Sequence, residues 1–113
     1  MPKAQLDTDL GTTLLESIDE TVIILLSRGV LDALYAHLQS KYHVSRNEVP
    51  HNLEPLLVTL EKIFGIASSQ TISKAIAKRF YSKLGVEFKG NPGGTLIDFV
   101  EDAKMKLQNS SSK

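Results

Sequence analysis

The stretch GIASSQTISKAIAKRFYSKL, residues 65–84, is the most informative part of this 113-residue chain. Its apolar residues recur at intervals of three and four, which is the pattern of a helix with one buried face. A Ser/Thr-rich segment precedes that stripe, and we predict a helix from about residue 69 to residue 84. The stripe comprises Ile72, Ala75, Ile76, Phe80 and Leu84, and the cations of the same stretch are Lys74, Lys78, Arg79 and Lys83.

The helical period continues through most of the remaining chain. Thr13 and Glu16 have the spacing of a capping box, so a first helix is expected to begin near Thr12 or Thr13. Further stripes occupy residues 30–42, 53–64 and 96–107. These patterns predict an all-α fold, a single compact domain of about five helices over residues 9–108. Residues 1–8 and 109–113 are expected to be flexible tails, and a short extended piece is allowed near residues 86–88.

One segment leaves its secondary structure open. TVIILL, residues 21–26, is rich in β-branched residues, which favour strands. No other segment offers a clear partner strand, and this favours a continuation of the first helix to about Ser27. Helix and strand both remain open for these residues.

Composition places the chain among soluble globular proteins. Hydrophobic residues make up 42% of it, yet no apolar run is long enough to cross a membrane. No signal-peptide core opens the chain, so we expect a cytoplasmic protein. Residues 1–56 hold four Lys/Arg against eight Asp/Glu, a net charge of −4, whereas residues 57–113 hold nine against five, a net charge of +4. An acidic half and a basic half can steer a partner or attract each other within a dimer.

No residue pattern indicates catalysis or metal binding. The chain has no cysteine, which excludes disulfides, thiol catalysis and cysteine-ligated zinc. His37, His43 and His51 are scattered, and no pair has the i, i+4 spacing of a helical metal site. The adjacent carboxylates of the chain point in different directions on a helix and form no acid/base pair. We therefore predict no catalytic residue, no metal and no cofactor, and expect that the protein is not an enzyme.

The basic helix suggests nucleic-acid binding as one hypothesis. Residues 53–84 contain two helices joined by a short turn, a helix-turn-helix-like segment whose second helix carries side chains that reach base edges and phosphates. The same Ser and Thr side chains can instead cap the helix, and a cationic helix face is often simply solvated. The candidate contacts are Ser69, Gln70, Thr71, Lys74, Lys78, Arg79 and Lys83.

Self-association is a second hypothesis. The stripe of the second helix is broad and contains two tyrosines, and small domains with such faces often close as symmetric dimers. The alternative is that these side chains belong to the core of their own chain. The candidate dimer surface comprises Leu31, Leu34, Tyr35, Leu38 and Tyr42.

Five short motifs follow one another between residues 18 and 88 in the order that is found in a known family. They are IDE at 18–20, YAHL at 35–38, EVP at 48–50, LEKIFG at 60–65 and YSKLG at 81–85. In these motifs the chain resembles a family of small archaeal proteins of unknown function, the NitrOD5-type domain. The resemblance implies an archaeal, cytoplasmic helical module and carries over no activity and no site residue.

These observations favour a non-enzymatic helical interaction module, dimeric and active in regulation or signalling. Its protein partner is not identified by the sequence, and no membrane association is expected. The alternative function is a DNA-binding transcriptional regulator that uses residues 53–84.

Overall fold

A computed structural model describes the backbone of residues 2–89 and 94–111 and the side chains of residues 10–89 and 94–108. Within those ranges the chain forms five α-helices and one short 3-10 helix, without a strand. The predicted all-α fold is therefore confirmed. In chain order the elements are α1 (Pro2–Leu25), α2 (Arg28–Tyr42), the 3-10 helix Arg46–His51, α3 (Glu54–Phe64), α4 (Ile66–Leu84) and α5 (Leu96–Ser111).

Helix α4 is the central element of the fold. It packs against α1, α3 and α5, and its contact with α1 is the most extensive in the described part of the chain. Helix α1 also packs against α2 and the 3-10 helix. The radius of gyration is 13.9 Å, close to the value of about 13 Å for a 100-residue domain. The described residues thus form one compact unit around α4.

All five α-helices and the 3-10 helix contribute side chains to the hydrophobic core. Ile18 and Val22 of α1, Leu38 of α2 and Ile76 of α4 are each 0% exposed, and Phe80 is 1% exposed. In α1 and α4 these side chains are four residues apart, so each helix presents one apolar stripe to its neighbours. The predicted stripes are thus the buried faces of the helices.

Two helices begin earlier than the sequence suggested. Helix α1 starts at Pro2 rather than near Thr12 or Thr13, because Leu10 is buried one turn before Leu14 and extends the apolar stripe towards the N-terminus. The helix thereby includes residues 2–8, which the sequence had assigned to a tail. Helix α4 starts at Ile66 rather than near Ser69, because Gly65 alone separates it from α3.

The ambiguous segment TVIILL is helical through Leu25. The chain then turns at Ser27, whose hydroxyl accepts a hydrogen bond of 3.1 Å from the Val30 amide and caps α2. The strand alternative for residues 21–25 is therefore wrong. Residues 86–88 form no strand either, although the Phe88 ring packs edge-on against the ring of Tyr81 at 4.9 Å.

Two capping pairs hold the starts of later helices. The Ser45 amide donates to the Glu48 carboxylate at 2.9 Å at the start of the 3-10 helix. The Thr95 amide donates to the Asp98 carboxylate at 3.0 Å, and the Asp98 amide donates back to the Thr95 hydroxyl at 3.3 Å. Reciprocal bonds of this kind satisfy amides that have no partner within the helix. Both pairs appear in the sequence at the spacing of a capping box.

Candidate interaction surface

The outward face of α4 contains only part of the predicted nucleic-acid contacts. Gln70, Thr71, Lys74 and Lys78 are exposed. Ser69 is 4% exposed, because it lies on the packed face of a helix that has already begun at Ile66. The hydroxyl of Thr71 donates to the Ala67 carbonyl of its own helix at 3.1 Å. Ser69 is thus a core residue and is not positioned to reach a phosphate.

The remaining two cations are held by α1. Arg79 lies 3.3 Å from the Glu20 carboxylate, and Lys83 lies 3.2 Å from the same carboxylate. Lys83 also approaches Glu16 at 4.0 Å. Lys74 and Lys78 have no ion-pair partner among the residues that the structure describes. The four predicted cations therefore form two groups: Arg79 and Lys83 are paired with Glu20, whereas Lys74 and Lys78 are unpaired within the described part of the chain.

The connection between α3 and α4 is shorter than a helix-turn-helix turn. Gly65 is the single residue between the helices, with φ 88°, and its amide donates to the Glu61 carbonyl at 2.9 Å. A helix-turn-helix unit usually has three or four residues at this point. A positive φ favours glycine, which here ends one helix and begins the next. Residues 53–84 thus form two directly joined helices rather than that motif.

The predicted dimer surface is largely internal. Leu31, Leu34 and Leu38 are 5%, 2% and 0% exposed and belong to the core of their own chain. Tyr35 and Tyr42 are half-buried at the edge of that core. Only the two tyrosines of this set therefore retain surface for contact with another copy.

Tyr35 belongs to a polar cluster that joins three elements. Its hydroxyl donates a hydrogen bond to Asp19 of α1, and the Arg46 guanidinium of the 3-10 helix donates to the same carboxylate. Burial raises the pKa of Tyr35 far above its usual value, and the hydrogen bond to Asp19 adds to this effect. The hydroxyl therefore remains a neutral donor, and the cluster ties α1, α2 and the 3-10 helix together.

A second tyrosine connects α4 to α5. The Tyr81 side chain is buried, and its hydroxyl lies 2.6 Å from both the Phe99 carbonyl and the Asp102 carboxylate. Burial, followed by the bond to Asp102, raises the pKa of Tyr81. The bond from Tyr81 and the nearby Lys106 lower the pKa of Asp102 in turn. A tyrosine held protonated between two acceptors stabilises the packing of these two helices.

A groove runs along the surface between α1 and α4 and has a volume of about 460 Å³. At its α1 edge, Ile24 and Leu25 are 64% and 48% exposed, although both are large apolar side chains. Beneath them Thr21 is 3% exposed, and its hydroxyl has no hydrogen-bond partner among the described residues. We call this feature the α1–α4 groove. Helix α1 contributes Thr21, Ile24 and Leu25 to it, and α4 contributes Ala75, Lys78, Arg79, Ser82 and Lys83.

A second cavity, of about 480 Å³, lies between α1, the 3-10 helix and α5. Gly11 borders it in the middle of α1, where an added Cβ would lie 3.2 Å from Nε2 of His51. Glycine at this point leaves room for the imidazole. The charged rim is mixed, since Lys104 lies 3.9 Å from the Glu101 carboxylate. Glu54 also lines the cavity, so its rim carries two carboxylates and one lysine, of which Lys104 and Glu101 pair with each other.

The three histidines occupy different positions in the fold. His37 is on the exposed face of α2, His43 caps that helix with φ 58°, and His51 ends the 3-10 helix. Among the side chains that the structure describes, no three of His, Asp and Glu are grouped to hold a metal ion. Within the described ranges, no helix combines the length and the apolar character that a membrane crossing requires.

No family model, curated protein or solved structure matches this chain. The resemblance to the NitrOD5-type domain therefore stays a prediction.

The α1–α4 groove was not predicted from the sequence, although the helical period of α1 contains a signal for the exposure of Ile24. Ile18 and Val22 define the buried stripe, and Ile24 is rotated by about 200° from Val22, at 100° per residue. A helix through this segment therefore places Ile24 on its outer side.

Proposed function

We propose that this chain is a non-enzymatic helical interaction module that binds a protein partner in regulation or signalling. The observation that carries this proposal is the exposure of Ile24 and Leu25 side by side in the α1–α4 groove. Isolated exposed apolar residues are common, but neighbouring ones that border a groove are typical of interaction sites. The cytoplasmic location and the archaeal type expected from the sequence remain parts of the proposal.

The homodimer predicted from the sequence also remains part of the proposal, with a different surface. Because Leu31, Leu34 and Leu38 are buried in their own chain, a symmetric contact would use the outer sides of Tyr35 and Tyr42. Such a contact leaves the α1–α4 groove free for a different protein.

A photo-cross-linking residue at position 24 tests the proposed function. On irradiation in a lysate of the source organism, we expect one discrete protein adduct that mass spectrometry identifies reproducibly. The matched control is the same residue at position 63, because Ile63 is 58% exposed on α3 and lies outside the groove. Adducts of equal yield and composition from both positions, or none from position 24, would contradict the assignment of the groove.

DNA binding is the second candidate function. It is favoured by Lys74 and Lys78, which are exposed one turn apart on α4 without an ion-pair partner among the described residues. Two phosphate contacts predict a slope of log K against log salt of about −2, hence a roughly tenfold loss of affinity between about 50 and 200 mM salt. Fluorescence anisotropy of a labelled duplex measures this slope.

If the DNA hypothesis is correct, Lys74→Glu with Lys78→Glu abolishes the binding of the duplex. Lys41→Glu with Lys62→Glu is the control, since both lysines are exposed on other helices. Retained binding in the first variant, or no binding by the unmodified protein at low salt, rejects α4 as a DNA contact.

A further inference from the structure

The α1–α4 groove carries charge of one sign. Lys78, Arg79 and Lys83 line it, and no carboxylate lines it among the described residues. Glu20 approaches Arg79 at 3.3 Å and Lys83 at 3.2 Å, so these two cations are partly neutralised. Lys78 is exposed and has no such partner in the described part of the chain. The groove therefore favours an anionic group, and Lys78 is the cation that meets it first.

The same groove also presents apolar surface. Ile24 and Leu25 are exposed along one edge, and Ala75 lies on the opposite edge. A phosphate backbone would meet the cations but would leave these side chains in water. Removing apolar surface from water is favourable, so a ligand with apolar side chains gains more from this groove. The groove is thus complementary to a ligand that combines carboxylates with an apolar face.

The groove lies between two antiparallel helices. Glu16 approaches Lys83 and Glu20 approaches Arg79, so residue numbers rise along α1 as they fall along α4. Two antiparallel helices leave a furrow between them into which the ridge of a third helix packs. Peptide helices commonly bind in such grooves through residues spaced by three and four positions.

We propose that the α1–α4 groove binds an amphipathic helix of a protein partner whose carboxylates face Lys78 and whose apolar stripe covers Ile24 and Leu25. This inference rests on the proposed function, because it names the chemistry of the partner for the same surface.

A second copy of this chain fits the groove less well. Its candidate helix is α5, where Asp98, Glu101 and the 61% exposed Met105 lie at helical spacing. The same helix carries Lys104 and Lys106, which lie 3.9 Å and 3.3 Å from carboxylates of α5 itself. Docking of α5 would therefore bring cations towards a cationic groove.

The test uses designed helical peptides of about 18 residues, or roughly five turns, labelled for fluorescence anisotropy. One peptide has a leucine stripe flanked by glutamates, a second has glutamine in place of each glutamate, and a third has lysine. We expect the glutamate peptide to bind at least about tenfold more tightly than the other two. Ile24→Asn and Lys78→Glu should each weaken its binding by about tenfold, and Lys78→Glu should improve the binding of the lysine peptide.

Ile63→Asn is the matched control, because Ile63 is as exposed as Ile24 but lies outside the groove. It should leave the affinity for the glutamate peptide unchanged, and circular dichroism should show unchanged helix content in all three variants. Failure of the glutamate peptide to bind, or equal loss in Ile24→Asn and Ile63→Asn, overturns the inference. So does a homodimer, detected by light scattering, that Ile24→Asn dissociates, because the groove then belongs to a second copy.

Two further outcomes separate this inference from the functions above. If the glutamine peptide binds as tightly as the glutamate peptide, the acidic partner is excluded, while the cross-linking experiment at position 24 still decides the proposed function. If a DNA duplex displaces the glutamate peptide and binds Ile24→Asn as well as the unmodified protein, the inference is overturned in favour of nucleic acid.

Discussion

Replacing Phe80 by Ala is expected to lower the free energy of unfolding by about 3–5 kcal/mol. Phe80 is 1% exposed on α4 and lines the cavity of about 480 Å³ that α1 and α5 also border. Truncation removes the apolar burial of the ring and enlarges a space that already exists, so the surrounding helices cannot fill it fully. Domains of this size have a total stability of about 5–15 kcal/mol, so the variant should lose a large part of it. Urea denaturation followed by far-ultraviolet circular dichroism measures the change.

The control for Phe80→Ala is Ile63→Ala. Ile63 is 58% exposed, and its truncation should change the free energy of unfolding by less than about 0.5 kcal/mol. Equal effects of the two substitutions on the free energy of unfolding would show that the Phe80 ring is not a buried part of the core.

Replacing Leu38 by Ala is expected to destabilise the protein by about 2–5 kcal/mol. Leu38 is 0% exposed within the core of its own chain, so the loss should not depend on protein concentration. Thermal melts at two concentrations roughly a hundredfold apart test this, because the melting temperature of a dimer rises with concentration. The substitution therefore separates a core residue from a residue of the dimer surface.

Gln39→Ala serves as the control on α2, since Gln39 is the exposed neighbour of Leu38. It should leave the melting temperature nearly unchanged. A concentration-dependent melt of the unmodified protein that Leu38→Ala alone abolishes would place Leu38 at a subunit interface and contradict its assignment to the core.

The helical stripes were predictable from the sequence because they depend on local periodicity. The spacing of Ile72, Ile76 and Phe80 identified the buried face of α4, which the structure confirms. The start of α1 was wrong, since the capping box at Thr13 and Glu16 is a local pattern that burial of Leu10 overrides. Local sequence patterns therefore predicted the presence of the helices more reliably than the residues at which the helices begin.

The groove was less accessible to sequence reasoning, since its charge depends on contacts between distant residues. Arg79 and Glu20 are 59 positions apart, and no local pattern shows that one neutralises the other. The sequence therefore predicted one continuous basic surface on α4. In the structure, Glu20 of α1 pairs with Arg79 and Lys83, and Lys78 has no ion-pair partner among the described residues. The exposure of Ile24 follows from helical period, but only once the segment is assigned to a helix.

The pairing of α1 with α4 has a consequence for the synthesis of the protein on the ribosome. Glu20 leaves the ribosome 59 residues before Arg79, and at about 5–20 residues per second this is a delay of roughly 3–12 s. During that time the apolar face of α1 has no α4 to cover it. The most extensive contact in the described part of the chain can therefore form only after translation has passed Arg79.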